Sequence, residues 1–300
     1  LVNIESDDKV KAFICTQDLK DQDYIKSHNL VMVTKQGQVK KTSLEKYSKP
    51  RVNGVAAITI KEGDELLEAK LTNGESQIIL AVKSGKLVRF EETKTRPMGR
   101  TASGVRGISL KDETDEVIGM VTVDKDDIND TQILVVTENG YGKRTKLVDE
   151  DGEDVYRITN RGGKGVKTLN ITEKTGKLIS ISNVTDADDL MIINKSGLTI
   201  RMAVEDLRVM GRATQGVKLI NLKGNDSIAA VTKVMKDDVA EVVVDEDGNV
   251  IETEAIERVK PVLEVLEDDG VEDDDDSDEE DEIEDDEDSE EAGDEDDSDE

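Results

Sequence analysis

Little in this sequence is equipped for covalent chemistry. There is one His, His28, and one Cys, Cys15, in 300 residues. That excludes a Cys/His zinc site, an intrachain disulfide and a Cys–His dyad with a further partner. Aromatics are 2% of the chain and Trp is absent. The six that exist (Phe13, Tyr24, Tyr47, Phe90, Tyr141 and Tyr156) do not interleave with basic residues, which argues against a surface that stacks unpaired bases. Proline occurs only at Pro50, Pro97 and Pro261, so few strands are interrupted. No apolar run approaches the roughly 18 residues of a membrane-spanning helix, and no signal-peptide pattern opens the chain. No membrane partner is expected, and the cysteine usage fits a reducing cytoplasm. The first residue is Leu1 rather than Met, so a fragment or a processed chain is expected.

Negative charge is what the chain has in excess, −31 in total. It is concentrated at one end. From Glu267 to Glu300 there are 26 Asp or Glu and no Lys or Arg, and residues 235–266 hold 10 acidic and 3 basic side chains. Residues 1–234 hold 37 basic and 35 acidic residues, a net of +2. The pattern is a near-neutral body with a polyanionic tail. A run such as Asp273-Asp274-Asp275-Asp276 repels itself and buries nothing, so residues 267–300 are expected to be disordered. Two roles fit: a solubilising appendage, or a nucleic-acid mimic that competes for a basic surface of the same molecule.

The body repeats itself. Four short apolar runs, Leu30–Val33, Ile78–Ala81, Ile133–Val136 and Leu190–Ile193, each lead into a turn ending in Gly37, Gly85, Gly140 or Gly197. These glycines are 48, 55 and 57 residues apart. Each turn leads into a strand carrying basic residues: Lys40 and Lys41, Arg89, Lys143 and Arg144, then Arg201. A Gly-Val pair follows at Gly54-Val55, Gly104-Val105, Gly165-Val166 and Gly216-Val217, twice preceded by Met-Gly-Arg (Met98–Arg100 and Met210–Arg212). An acidic or polar turn and a mostly alternating strand close each unit, as in Gly63–Leu67 and Thr114–Ile118.

Val- and Ile-rich runs of four or five residues bounded by Asn-Gly or Ser-Gly turns predict strands. Their continuity, rather than alternation, predicts that both faces are covered. Units of about 50 residues with about four strands predict an all-β, propeller-like or pinwheel fold, a solenoid of strands being the alternative. The expected organisation is residues 1–27 as the remnant of a preceding unit, then blades at 28–76, 77–131, 132–188 and 189–234. A linker with a hairpin follows at 235–266, then the acidic tail at 267–300.

Residues 28–234 hold 33 basic against 29 acidic residues, so placement matters more than total. In a radial fold, equivalent positions share height and radius. Lys40, Lys41, Arg89, Lys143, Arg144 and Arg201 are expected to form one arc on the surface. Arg51, Arg100, Arg161, Lys164 and Arg212 are expected to form another, and Arg106 and Lys218 complete the candidate set. A curved stripe of Lys and Arg is the footprint of bent duplex DNA. Bending 20–30 base pairs by 40–90° costs on the order of 1–6 kcal/mol, which several phosphate contacts can offset.

Other motifs fail on inspection. Gly211–Lys218 lacks the Gly-Lys-Ser/Thr ending of a phosphate loop. Asp245–Asn249 has its glycine too early for a calcium loop, and Ile256 stands where the bidentate Glu belongs, so a hairpin turn is expected. His28 is read as structural. No catalytic constellation and no metal site are found.

One stretch carries a resemblance. Arg161-Gly162-Gly163-Lys164-Gly165 matches the last five positions of the Gln-Arg-Arg-Gly-Gly-Lys-Gly box of the DNA gyrase A family. With Asn139–Thr145 and the two Met-Gly-Arg segments, residues 1–234 resemble that family's C-terminal domain. The resemblance implies a six-bladed β-pinwheel whose rim wraps duplex DNA, so that ATP-driven strand passage introduces negative supercoils. It implies gyrase B and a second copy of gyrase A as partners, a cytoplasmic setting, and ATP and Mg in the intact complex but no cofactor in this stretch. It assigns Arg161 and Lys164 to DNA contact and Gly162, Gly163 and Gly165 to close backbone approach. The family box lies in the first blade, whereas this copy lies in the third complete repeat. About two blades and the domain bearing the active-site Tyr are therefore expected to be missing. The related C-terminal domain of topoisomerase IV and a protein-interaction propeller are the competing identities.

Overall fold

The computed structural model describes residues 9–224, 226–235, 243–244 and 250–251. The acidic tail lies outside them. The first repeat supplies strands β1 (Asn29–Thr34), β2 (Gln38–Ser43) and β3 (Leu66–Thr72). The second supplies β4 (Gln77–Val82), β5 (Lys86–Glu91), β6 (Val105–Arg106) and β7 (Val117–Val123). The third supplies β8 (Gln132–Thr137), β9 (Tyr141–Lys146), β10 (Val166–Lys167) and β11 (Leu178–Val184), and the fourth β12 (Asp188–Asn194), β13 (Thr199–Ala203), β14 (Val217–Lys218) and β15 (Ile228–Met235). The fold class is all-β, as the periodicity indicated. Strands β16 (Val243–Val244) and β17 (Val250–Ile251) pair antiparallel with Val243 opposite Ile251, flanking the expected hairpin turn, which lies outside the described residues.

One helix was not foreseen. Helix α1 (Gln22–Ser27) starts where the Asp21 carboxylate accepts hydrogen bonds from the Asp23 and Tyr24 amides. His28 ends it, with Nδ1 2.8 Å from the Tyr24 carbonyl oxygen and its ring against the Tyr24 ring. The structural reading of His28 fits these contacts.

The sheets do not coincide with the sequence repeats. Their strand orders are β3-β1-β2-β6, β7-β4-β5-β10, β11-β8-β9-β14 and β15-β12-β13. Each of the first three sheets is closed by the Gly-Val strand of the following repeat. Arg106 pairs with Gln38, Lys167 with Lys86 and Lys218 with Tyr141, in the same register each time. Each hairpin turn leaves its second strand with an open edge, and the exchange satisfies those amides and carbonyls from the next unit.

The apolar runs are the central strands β1, β4, β8 and β12, and every residue of β4 and β8 is buried. Alternate residues serve different neighbours. Ile78, Leu80 and Val82 pack with Val31, Val33 and Val39 of the first repeat, while Ile79 and Ala81 pack with Ile133 and Val135 of the third. This is why the runs do not alternate in polarity. Each fully buried Leu or Ile contributes about 1.5–3 kcal/mol, so the repeats stabilise one another. The closing strands β3, β7, β11 and β15 touch their counterparts in neighbouring sheets. They form the inner edges, which leaves the exchanged strands β6, β10 and β14 at the outer edges.

Candidate nucleic-acid interface

The hairpin cations turn inward, contrary to expectation. Lys40 and Lys143 are 0% exposed, Arg89 1%, Arg201 4%, Lys41 5% and Arg144 6%. Strands β2, β5 and β9 are interior strands, flanked on one side by the apolar run and on the other by the exchanged segment, while β13, which carries Arg201, pairs only with β12 among the described residues. A buried charge without a partner costs several kcal/mol, and each of these six has partners. Arg201 Nε donates to Asp189 Oδ2 at 2.7 Å. Lys41 lies 3.6 Å from the buried Glu92 carboxylate, which also accepts from Thr72 Oγ1 at 2.9 Å. Arg89 donates to Asp154 at 2.7 Å and to the Tyr156 carbonyl at 2.8 Å. Arg144 donates to the Leu207 carbonyl at 2.6 Å and pairs with Asp186. Lys41, Arg89, Arg144 and Arg201 thus form internal staples rather than an arc on the surface, and changing them would report first on folding.

Lys143, one position earlier, reaches into the loop of the following repeat, and Lys40 reaches both its own repeat and that loop. Lys40 Nζ donates to the carbonyls of Ala57, at 2.6 Å, and Arg100. Lys143 Nζ donates to the carbonyls of Arg212, at 2.6 Å, and Gly211, and to Thr214 Oγ1 at 3.1 Å. Burial lowers the Lys143 pKa to about 7. Burial, with the nearby Arg100 charge, lowers that of Lys40 to about 8. Val88 and Ile200 occupy this position in the other two repeats.

The loops so held are fastened at both ends. The Met98, Thr159 and Met210 amides donate to the carbonyls of Lys41, Arg89 and Arg144 at 2.7, 2.8 and 2.9 Å. Past the loop, Gly165 takes φ +74°, and a Cβ there would stand 2.6 Å from the Leu87 carbonyl oxygen. Only glycine satisfies both conditions. Gly104 and Gly216 repeat the arrangement against Val39 and Gly142. Residues 99–103, 160–164 and 211–215 bulge between these anchors at the outer edge of each sheet.

Here the remaining candidates meet solvent. Arg106, Lys164 and Arg212 are exposed, and Arg100, Arg161 and Lys218 are half-buried. Arg51 is exposed, but its Gly54-Val55 segment joins no strand among the described residues. In the box-like loop, Arg161 donates to the carbonyls of Lys94 at 3.1 Å and Arg106 at 3.3 Å. The Gly162 amide, at φ +85°, donates to Gly107 at 2.7 Å, and Ser109 donates to Gly163 at 2.9 Å. The box therefore ties the third repeat to the second. Gly163 departs from expectation: nothing lies nearer than 3.9 Å to where its Cβ would be, so no close approach requires glycine there. Sequence reasoning missed Lys167, which is exposed and occupies the position of Arg106 and Lys218. Its third place in Gly165-Val166-Lys167 was the available signal.

What this edge can do is electrostatic. Among the described residues no three His, Cys, Asp or Glu are grouped to hold a metal ion. Lys218, at the end of the stretch that looked like a phosphate loop, belongs to strand β14. These residues fit neither Mg nor ATP.

A family model described as the DNA gyrase C-terminal domain, beta-propeller, matches residues 28–73, 77–124, 131–185 and 188–235. The DNA gyrase A protein of Staphylococcus epidermidis is 42% identical over 238 residues, covering 79% of this chain and 25% of that protein. Its counterpart in Staphylococcus aureus strain MRSA252 is 40% identical over 260 residues, covering 85% and 28%. The chain thus spans about a quarter of the length of these curated relatives. Among solved structures, the C-terminal domain of DNA topoisomerase IV superposes with a TM-score of 0.64 at 25% identity, over 70% of this chain and 63% of that one. The DNA gyrase A C-terminal domain superposes with a TM-score of 0.59 at 24% identity, over 70% and 67%.

Proposed function

The chain belongs to the DNA gyrase C-terminal domain family, and from that membership we propose that its outer edge binds and wraps duplex DNA. One observation carries the reading beyond the family name. Basic residues recur at one place in successive loops and at another on the exchanged strands that follow them, both at the outer edges of successive sheets. Arg100, Arg161 and Arg212 form one series, and Arg106, Lys167 and Lys218 the other. Backbone phosphates require this chemistry, since register and bending depend on charge rather than on base edges. Identity of 40–42% to gyrase A proteins over most of the chain favours gyrase over topoisomerase IV.

The chain acts without chemistry of its own. Tyr156 is fully buried, and that burial raises its hydroxyl pKa, so it is no candidate nucleophile. In the intact cytoplasmic enzyme, gyrase B, a second copy of gyrase A, ATP and Mg supply strand passage. This domain supplies the bent DNA that gives passage its direction.

Duplex affinity measured between 50 and 200 mM salt tests the reading. With six to ten phosphates engaged, affinity should fall by roughly 10³–10⁵ over that range. No binding, or binding indifferent to salt, would overturn it and favour a protein-interaction propeller. Removing residues 267–300 should tighten binding at low salt if the tail competes for the basic edge. Unchanged affinity would leave the tail a solubilising role.

A further inference from the structure

A third series of cations keeps step with the repeats and is accounted for neither by the staples nor by the loop contacts. Arg96, Arg157 and Arg208 stand eight residues before Gly104, Gly165 and Gly216, and Lys46 stands eight before Gly54. All four are exposed. The chain leading to them varies in length. Lys46 follows its hairpin cation Lys41 by 5 residues, Arg96 follows Arg89 by 7, Arg157 follows Arg144 by 13, and Arg208 follows Arg201 by 7. The cation returns to the same place despite the longer connection in the third repeat.

Local structure explains why that place is constant. The preceding residues, Thr95, Tyr156 and Leu207, are buried at 0%, 0% and 1% exposure. The next residues, Pro97 and Val209, form parallel bridges to Lys41 and Arg144. One residue later come the anchoring amides of Met98, Thr159 and Met210. Each arginine is therefore held between a buried side chain and a fixed backbone contact, at the entrance to the outer loop. Among the described residues Lys46, Arg96 and Arg208 make no ion pair, whereas the buried Lys41, Arg89, Arg144 and Arg201 each do.

We propose that Arg96, Arg157 and Arg208 form a second row of phosphate contacts beside the loops, so that these three blade edges grip the duplex on both sides of their loops. This rests on the DNA-wrapping reading and assigns it residues that lie outside both the loop and the exchanged-strand series.

The test compares three triple variants of the full chain for duplex affinity against salt. Arg96→Gln/Arg157→Gln/Arg208→Gln removes the proposed row. Arg106→Gln/Lys167→Gln/Lys218→Gln removes the series on the exchanged strands. Lys125→Gln/Lys174→Gln/Lys195→Gln removes the same charge from exposed positions outside the series. The first triple should reduce the slope of log K against log salt by about 2.7, at about 0.9 per phosphate contact, with the thermal midpoint unchanged. The third should leave the slope within error of wild type. Two results overturn the row: a slope unchanged in the first triple, or one reduced equally in the third. If the first triple is silent while the second lowers the slope, the row fails and wrapping stands. If wild type shows no salt-dependent DNA binding, wrapping itself fails, and the row with it.

Discussion

Arg89 and Arg106 belong to the same repeat, and only Arg106 meets solvent. Both have counterparts in register in other repeats. Periodicity in a repeat protein marks equivalent positions, and an equivalent position can be equally demanding when it is buried. A guanidinium placed between sheets needs its acceptors in every unit, so it recurs as strictly as one that meets a ligand. Arg89 finds Asp154 and the Tyr156 carbonyl, both from the following repeat. Arg106 lies on the exchanged strand, where nothing covers it. Lys41, Arg89 and Arg144 tie one blade to the next and Arg201 pairs within its own, and the exposed set is what a partner can reach.

The comparison can be broken in order of expected effect. Replacing Arg201 by Met leaves the fully buried Asp189 carboxylate without its cation. That should cost about 3–5 kcal/mol in urea unfolding; a loss under about 1 kcal/mol would mean the staples are dispensable. Next comes the box. Gly165→Ala forces a Cβ against the Leu87 carbonyl at positive φ and should cost about 1–3 kcal/mol, while Gly163→Ala should stay within about 0.5 kcal/mol. Equal costs would contradict the packing described for the two glycines.

A pH series addresses the buried lysines. Lys143 loses its proton near pH 7 in the fold but near 10.5 when unfolded. Between those values the unfolded chain binds more protons, so stability should rise with pH across that window. Lys40 acts in the same direction from about pH 8. Unfolding at pH 7 and pH 9 should show the rise in wild type and a smaller one in Lys143→Met; equal rises would mean that Lys143 stays charged in its loop. The smallest stability effect is expected at the outer edge. Arg106→Gln or Lys167→Gln should change stability by less than about 0.5 kcal/mol, yet each should lower the salt slope of DNA binding by about 0.9. A stability loss matching that of Arg201→Met would erase the distinction between the sets.

The apolar runs, the turn glycines and the Gly-Val pairs were legible before any coordinates, and so was the all-β class. The exchange of strands was not. Val105 lies nearer in sequence to β7 than to β2, yet it closes the sheet of β2. Only the match of Arg106 to Gln38, Lys167 to Lys86 and Lys218 to Tyr141 shows that the Gly-Val pair is a strand lent to a neighbour. The site was legible in part. The loop cations were found through the motifs that precede the Gly-Val pairs. The Arg96, Arg157 and Arg208 series keeps a fixed distance from the Gly-Val glycines, but only its exposure beside a buried neighbour sets it apart from other cations.

Sequence alone determined the repeat, the strands and the separation of a near-neutral body from an acidic end. Each depends on β-propensity, turn chemistry or charge among residues close together in the chain, so a short window carries the information. Tertiary structure alone decided which cations are buried and which face water. A side chain's exposure depends on what packs over it, and for Lys41, Arg89, Lys143 and Arg144 that cover comes from the next repeat, about 50 to 70 residues along the chain, as when Lys143 meets Arg212.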